Sequence, residues 1–160
     1  LRRTAQALGQ VVSPDDAALA ARGLRTMGVR LEAQTRSAMR IAHWLEGRPE
    51  VAKVLCPMLP GDPGHALWRR DFNGGCGLFA FVLASDDPAA SARVADALAL
   101  FGIGYSWGGF ESLALPITPR QHRSLMPCPT GGAPALRLAI GLEDPDDLIA
   151  DLAQALEQAG

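Results

Sequence analysis

The stretch Tyr105-Ser106-Trp107-Gly108-Gly109-Phe110-Glu111-Ser112 runs into the apolar Leu113-Ala114-Leu115, and Pro116 follows. An apolar run of strand length with a proline behind it reads as a short buried strand. Ahead of it, two adjacent glycines let the backbone turn sharply or let another group approach closely. A tryptophan is bulky and wants its N–H satisfied. Packing alone would not require a hydroxyl and a carboxylate in the same stretch. Taken by themselves, these residues read as a tight turn leading into a core strand.

Three more apolar runs have strand length: 51–56, stopped by Pro57; 78–83, behind the turn Asn73-Gly74-Gly75-Cys76-Gly77; and 136–140. Helical sequence lies between them. Residues 1–10 read as the end of a helix, with Leu1, Ala5 and Leu8 on one face and Gly9 suited to its close. At Ser13-Pro14-Asp15-Asp16 a new helix is expected, with Ser13 as cap, Pro14 in the first position and two acids in the first turn. From 15 to about 45 the helical period dominates, with Leu24, Met27, Leu31, Ala38, Ile41 and Leu45 along one face. Gly23 and Gly28 allow a break, so two helices or one kinked helix are expected, a natural spine between two domains. A helical turn is expected at 65–70, and a helix at 88–100 with Ala89, Ala92, Val94, Ala95, Leu98 and Ala99 mostly inward. Thr118-Pro119-Arg120-Gln121 has the pattern of a capping box and predicts a short helix ending near Met126. Asp144-Pro145-Asp146-Asp147 opens a last helix whose stripe is Leu148, Ile149, Leu152, Ala155 and Leu156. The order predicts an α/β fold: about four strands in one sheet, with helices packed on a face.

Composition narrows the function classes. The chain has 160 residues, 48% hydrophobic and 20% charged, with a net charge of −2, an ordinary soluble globular balance. No basic excess points to nucleic acid, no apolar run is long enough for a bilayer, and the N-terminus has no signal-peptide pattern. Starting at Leu1 in helical sequence suggests a piece of a longer protein. Cys56, Cys76 and Cys128 are odd in number and lack CxxC spacing, which argues against a disulfide framework or a zinc site and for reduced thiols in a cytoplasmic protein. His43, His65 and His122 are scattered. The glycines at 74, 75 and 77 lack a phosphate-loop spacing and precede a strand rather than a helix. No catalytic, cofactor-binding or metal-ligating residue is assigned. Lys53 is the only lysine, so any Schiff-base chemistry in the chain would rest on it, and the strand pattern turns it toward solvent.

Arg137 stands out on physical grounds. A charge inside the short apolar run Leu136-Arg137-Leu138-Ala139-Ile140 is costly to bury unless it is paired. Its guanidinium fork suits a carboxylate. That carboxylate is either an internal one, such as Glu111 or Glu143, or one carried by a ligand. If the Tyr105–Leu113 stretch lies beside the Arg137 strand, both face one carboxylate-bearing ligand.

The same residues carry a resemblance. The Tyr105–Leu113 stretch resembles the signature region of cystathionine β-lyases, within the Cys/Met-metabolism family of pyridoxal-phosphate enzymes. The likeness runs in order through Gly23-Leu24-Arg25-Thr26, Gly28-Val29-Arg30-Leu31, Trp68-Arg69-Arg70-Asp71-Phe72, Gly77-Leu78-Phe79, Leu136-Arg137-Leu138 and Ile140-Gly141-Leu142-Glu143-Asp144. Relatives acting at the γ carbon usually carry Leu where Trp107 stands, which points to the β-lyase branch. The resemblance implies the small C-terminal domain of a fold type I pyridoxal-phosphate enzyme. Residues 1–26 would be a remnant of the large cofactor domain, 27–46 a linking helix and 47–160 the small domain. It implies that Arg137 holds the substrate α-carboxylate, with Ser106, Trp107 and Tyr105 lining that subsite. Gln6 stands where some relatives carry a tyrosine near the active site. The Schiff-base lysine and the cofactor's other contacts would lie upstream, so pyridoxal phosphate would serve the full-length enzyme and not bind this piece. The implied reaction converts cystathionine to homocysteine, pyruvate and ammonia, and this piece is expected to be inactive alone. The implied partners are an amino-acid substrate and further copies in a homotetramer, with no nucleic acid or membrane. The piece itself is expected to self-associate through an exposed apolar face. Two alternatives stay open: a γ-acting relative, and an independent amino-acid-binding regulatory module that would also use Arg137.

Overall fold

A computed structural model describes residues 1–118 and 128–159. The short helix expected between Thr118 and Met126 lies outside the described residues. The chain divides into two compact units, Leu1–Arg30 and Leu31–Gly160.

In the first unit, α1 (Arg2–Ala7) ends before Gly9, whose φ of +67° closes the turn. Helix α2 (Pro14–Leu24) starts as expected: the Ser13 hydroxyl accepts the Asp16 N–H at 3.1 Å, Pro14 fills the first turn, and Asp15 and Asp16 face the positive end of the helix dipole. A break separates it from α3 (Met27–Glu46), so there are two helices. The Gly23 carbonyl, left over at the end of α2, accepts from the Arg30 guanidinium at 3.1 Å and from the Thr26 hydroxyl at 3.3 Å.

The second unit holds the sheet. Its strands are β1 (Val51–Leu55), β2 (Leu78–Leu83), β3 (Gly102–Ile103), β4 (Leu113–Ile117) and β5 (Ala135–Ala139), in the order β1-β2-β5-β4-β3. All neighbours are antiparallel except β3 and β4. The sheet therefore has five strands rather than about four. The extra one is two residues long and contains a glycine, too short for any alternation to announce it. Strand β4 also runs through Pro116, which was expected to stop it. β3 covers only Leu113 and Ala114, so beyond them that flank of β4 is an edge among the described residues, where a missing N–H costs nothing.

One sheet face makes the core. Phe79, Phe81 and Leu83 of β2, Leu136 and Leu138 of β5, Val54 of β1 and Ala114 of β4 are buried there. They belong to one cluster with Ala38, Ile41 and Leu45 of α3, Val94 of α5 (Ala90–Ala97) and Leu148, Leu152 and Leu156 of α6 (Pro145–Leu156). The expected stripe is core only in the second half of α3, because Met27 and Leu31 at its start are exposed, as is Leu24 at the end of α2. Helix α4 (His65–Asp71) matches the expected turn.

Helix α5 is shorter than the expected 88–100, and Ala89, Ala92 and Ala99 are exposed where they were expected inward. Buried Asp151 on α6 explains its end. Its carboxylate accepts the Ala99 N–H at 2.9 Å and the Leu100 N–H at 2.8 Å, which draws the chain out of helix. The Ala97 carbonyl accepts from the Gln154 amide at 2.7 Å. Among the described residues no helix is long and apolar enough to cross a membrane.

Asp151→Ala leaves the Ala99 and Leu100 amides with no acceptor near the core. The expected cost is about 2–3 kcal/mol, read by urea denaturation of the 160-residue chain; a loss under about 0.5 kcal/mol contradicts the capping role.

Candidate functional site

Strand alternation explains how a charge fits in an apolar strand. Leu136 and Leu138 face the core, so Arg137 lies on the opposite sheet face. Its neighbours across the sheet are Ala80 of β2 and Leu115 of β4. The guanidinium reaches the loop that leads into β4. Nη2 donates to the carbonyls of Gly104 (3.1 Å), Tyr105 (2.8 Å) and Ser106 (3.1 Å). Two hydrogens are thus shared among three acceptors. Nε is buried and has no partner among the described residues. Arg137 makes no ion pair among the described residues. Neither internal acid considered for it serves: Glu111 is exposed, and both Glu143 oxygens are taken up by Ser112.

The structure brings Tyr105 and Ser106 to Arg137 through their carbonyls, while their side chains are exposed. Trp107 is next in the chain and 64% exposed; Tyr105 is 83% and Phe110 68% exposed. The tight turn leading into a core strand is found: the strand enters the core through Ala114, while the rings of the turn lie outside it. Gly108, at φ +78°, makes the reversal.

Ser112, Glu143 and Gln34 hold this loop, a role the sequence did not suggest for them. The buried Ser112 donates its hydroxyl to Glu143 Oε2 at 2.7 Å, and its N–H goes to Glu143 Oε1 at 2.7 Å. The same hydroxyl accepts the Gly141 N–H at 2.8 Å. Gln34 of α3, also buried, donates its amide to the Gly109 carbonyl at 2.6 Å. One signal for Gln34 was available: it occupies the step missing from the α3 stripe between Leu31 and Ala38, a polar residue where the period demands an apolar one. Nothing local links Ser112 to a carboxylate 31 positions on.

Elsewhere the chemistry is thin. Lys53 is exposed on β1 and shares a recess of about 260 Å³ with Glu46 and Asp62. A second recess, about 330 Å³, is lined by Met58, Trp68, Phe72 and the two cysteines Cys56 and Cys76. Burial pushes the Cys56 thiol up, so it is a poor nucleophile. Among the described residues no group of three or more His, Cys, Asp or Glu could hold a metal ion.

Comparison with known proteins places this arrangement. The family model described as Cys/Met metabolism PLP-dependent enzyme matches residues 1–157. A cystathionine beta-lyase of Bordetella avium is 50% identical over 159 residues, 99% of this chain and 40% of that protein. A cystathionine gamma-lyase of Homo sapiens is 38% identical over 163 residues, again 99% of this chain and 40% of that protein. The chain spans about two fifths of the length of the curated relatives it matches. A crystal structure from Campylobacter jejuni, assigned as an O-acetylhomoserine (thiol)-lyase and holding N'-pyridoxyl-lysine-5'-monophosphate, superimposes with a TM-score of 0.81 at 34% identity, covering 94% of this chain and 35% of that one.

The exposed setting of Trp107 has a spectroscopic consequence in the 160-residue chain. Its emission is expected to be red-shifted and open to acrylamide, because Trp107 is exposed whereas Trp44 and Trp68 are half-buried. Trp107→Phe is expected to remove most of the quenchable fluorescence; an unchanged quenching curve would mean that the loop packs its rings.

Proposed function

Since the chain belongs to the Cys/Met metabolism family of PLP-dependent enzymes, we propose that it is the C-terminal part of a carbon–sulfur lyase that cleaves cystathionine to homocysteine, pyruvate and ammonia, and that it supplies the subsite for the substrate α-carboxylate. One observation carries the subsite. Among the described residues Arg137 keeps a buried Nε without a partner, while carbonyls rather than carboxylates hold its Nη2. Carbonyl dipoles orient a guanidinium but leave its positive charge uncompensated, so an arriving carboxylate is the group that completes it. Ser106 and Trp107, on the exposed loop whose carbonyls grip Arg137, line the same subsite, with Tyr105 beside them.

Pyridoxal phosphate does not fit among the described residues. The only lysine is exposed in a recess that it shares with two carboxylates, which repel a phosphate. The cofactor belongs to the part of the enzyme upstream of Leu1, where it supplies the electron sink for the bonds broken at the substrate. This chain's share is binding and orientation: fixing the carboxylate restricts how the α carbon presents its bonds to the cofactor ring. On this reading residues 1–26 are the end of the cofactor domain, 27–46 a linking helix and 47–160 the small domain. Homotetrameric assembly and a cytoplasmic setting belong to the same proposal and rest on the family likeness.

The β-lyase reading is supported by Trp107 and by the 50% identity to the Bordetella avium enzyme. A γ-acting enzyme is the second reading, supported by the 38% identity to the human gamma-lyase. The product decides between them: pyruvate from cystathionine supports β cleavage, and 2-oxobutyrate refutes it. The isolated chain with added cofactor should release neither. In the full-length enzyme, Arg137→Ala should lower kcat/KM by about ten- to a hundredfold, since a charge-assisted pair contributes about 1.5–3 kcal/mol. Arg137→Lys should restore little of it. Activity within about threefold of the parent in Arg137→Ala (less than 1 kcal/mol) would remove Arg137 from the subsite.

A further inference from the structure

Arg137 is gripped at one end of the 104–112 loop; the other end is tied by a separate set of bonds around Ser112. We propose that Ser112, Glu143 and Gly141 form a positioning device that holds this loop in register with β5, and so sets the affinity of the subsite at Arg137. This rests on the carboxylate reading given above.

The geometry is specific. Glu143 spends both oxygens on one residue, accepting the Ser112 N–H and the Ser112 hydroxyl, each at 2.7 Å. Ser112 passes the connection on by accepting the Gly141 N–H at 2.8 Å. A backbone bond from the Leu142 N–H to the Phe110 carbonyl, 2.8 Å, lies beside it. The start of β4 is thereby fastened to the exit of β5. A Cβ on Gly141 would collide with the Phe110 carbonyl and the Glu143 carboxylate, so only glycine lets the two segments close this far. Glu143 makes no ion pair among the described residues, which leaves its charge free to strengthen the two bonds it accepts.

The link to Arg137 is mechanical. The carbonyls of residues 104–106 precede Ser112 in the same loop and are the acceptors of Nη2. A guanidinium is planar and rigid, so moving those carbonyls turns Nε and Nη1 together with Nη2. Displacements of about 1 Å at an orienting group are enough to cost binding and rate. Ser112, Glu143 and Gly141 touch no reacting atom; they act through the loop and Arg137.

The test compares variants of the full-length enzyme, with cystathionine KM, the Kd of an unreactive α-amino acid, thermal unfolding and cofactor content measured together. Glu143→Ala, Ser112→Ala and Gly141→Ala should each raise KM and Kd by about tenfold, the size expected for losing a charge-assisted bond, with cofactor content unchanged. The Ser112→Ala, Glu143→Ala double variant should be no weaker than the worse single one, because the two act as one unit. Glu143→Gln keeps an acceptor for the Ser112 N–H but loses the charge and the acceptor for the hydroxyl, so its KM and Kd should fall between those of the parent and of Glu143→Ala; it also serves if the alanine variant does not fold. A lower melting temperature with KM and Kd unchanged in Glu143→Ala and Gly141→Ala would make the cluster purely structural and overturn the inference. Arg137→Ala separates the two claims. If it loses Kd while the cluster variants do not, only this inference fails; if Arg137→Ala keeps Kd, the carboxylate reading fails and the inference with it.

Discussion

Strand β5 has to serve two surfaces at once, and its two-residue period is the constraint on which the rest of the second unit depends. Leu136 and Leu138 close the core against the helices. Arg137 between them is sent to the other face by the same geometry. A slip of one residue in the pairing with β2 would drive a guanidinium into the core and two leucines out of it. The register is therefore held by a charge that cannot be buried as well as by apolar residues that need to be.

The way Arg137 is satisfied matters as much as where it lies. A carboxylate partner would have neutralised it, and breaking that pair would then be part of any anion binding. Three carbonyls hold the side chain without neutralising it. The loop that provides them carries Tyr105, Trp107 and Phe110 into solvent, which a self-contained domain has little reason to do.

Legibility in the sequence followed the range of the interaction. The Ser13 cap, the Asp144-Pro145 start of α6 and the β2 run were readable because their causes lie within a few residues. The errors had distant causes. Helix α5 ends early because a carboxylate more than fifty positions later takes the Ala99 and Leu100 amides. Strand β4 tolerates Pro116 because of what does not pair with it. Trp and Phe are normally buried, and only the tertiary arrangement shows that Trp107 and Phe110 are exposed among the described residues.

By itself, the sequence determined the α/β class and most element boundaries, and it made Arg137 conspicuous. It did so because propensity, capping and periodicity are local, and because a charge in an apolar strand is conspicuous wherever it sits. Three things were decided only by the tertiary structure: the fifth strand, the carbonyl cradle around Arg137, and the tie between Ser112 and Glu143. Each joins segments about thirty residues apart or rests on a pairing too short to have a period. Their energy comes from hydrogen-bond geometry that exists only once the sheet has brought the partners together, and no pattern along the chain encodes it.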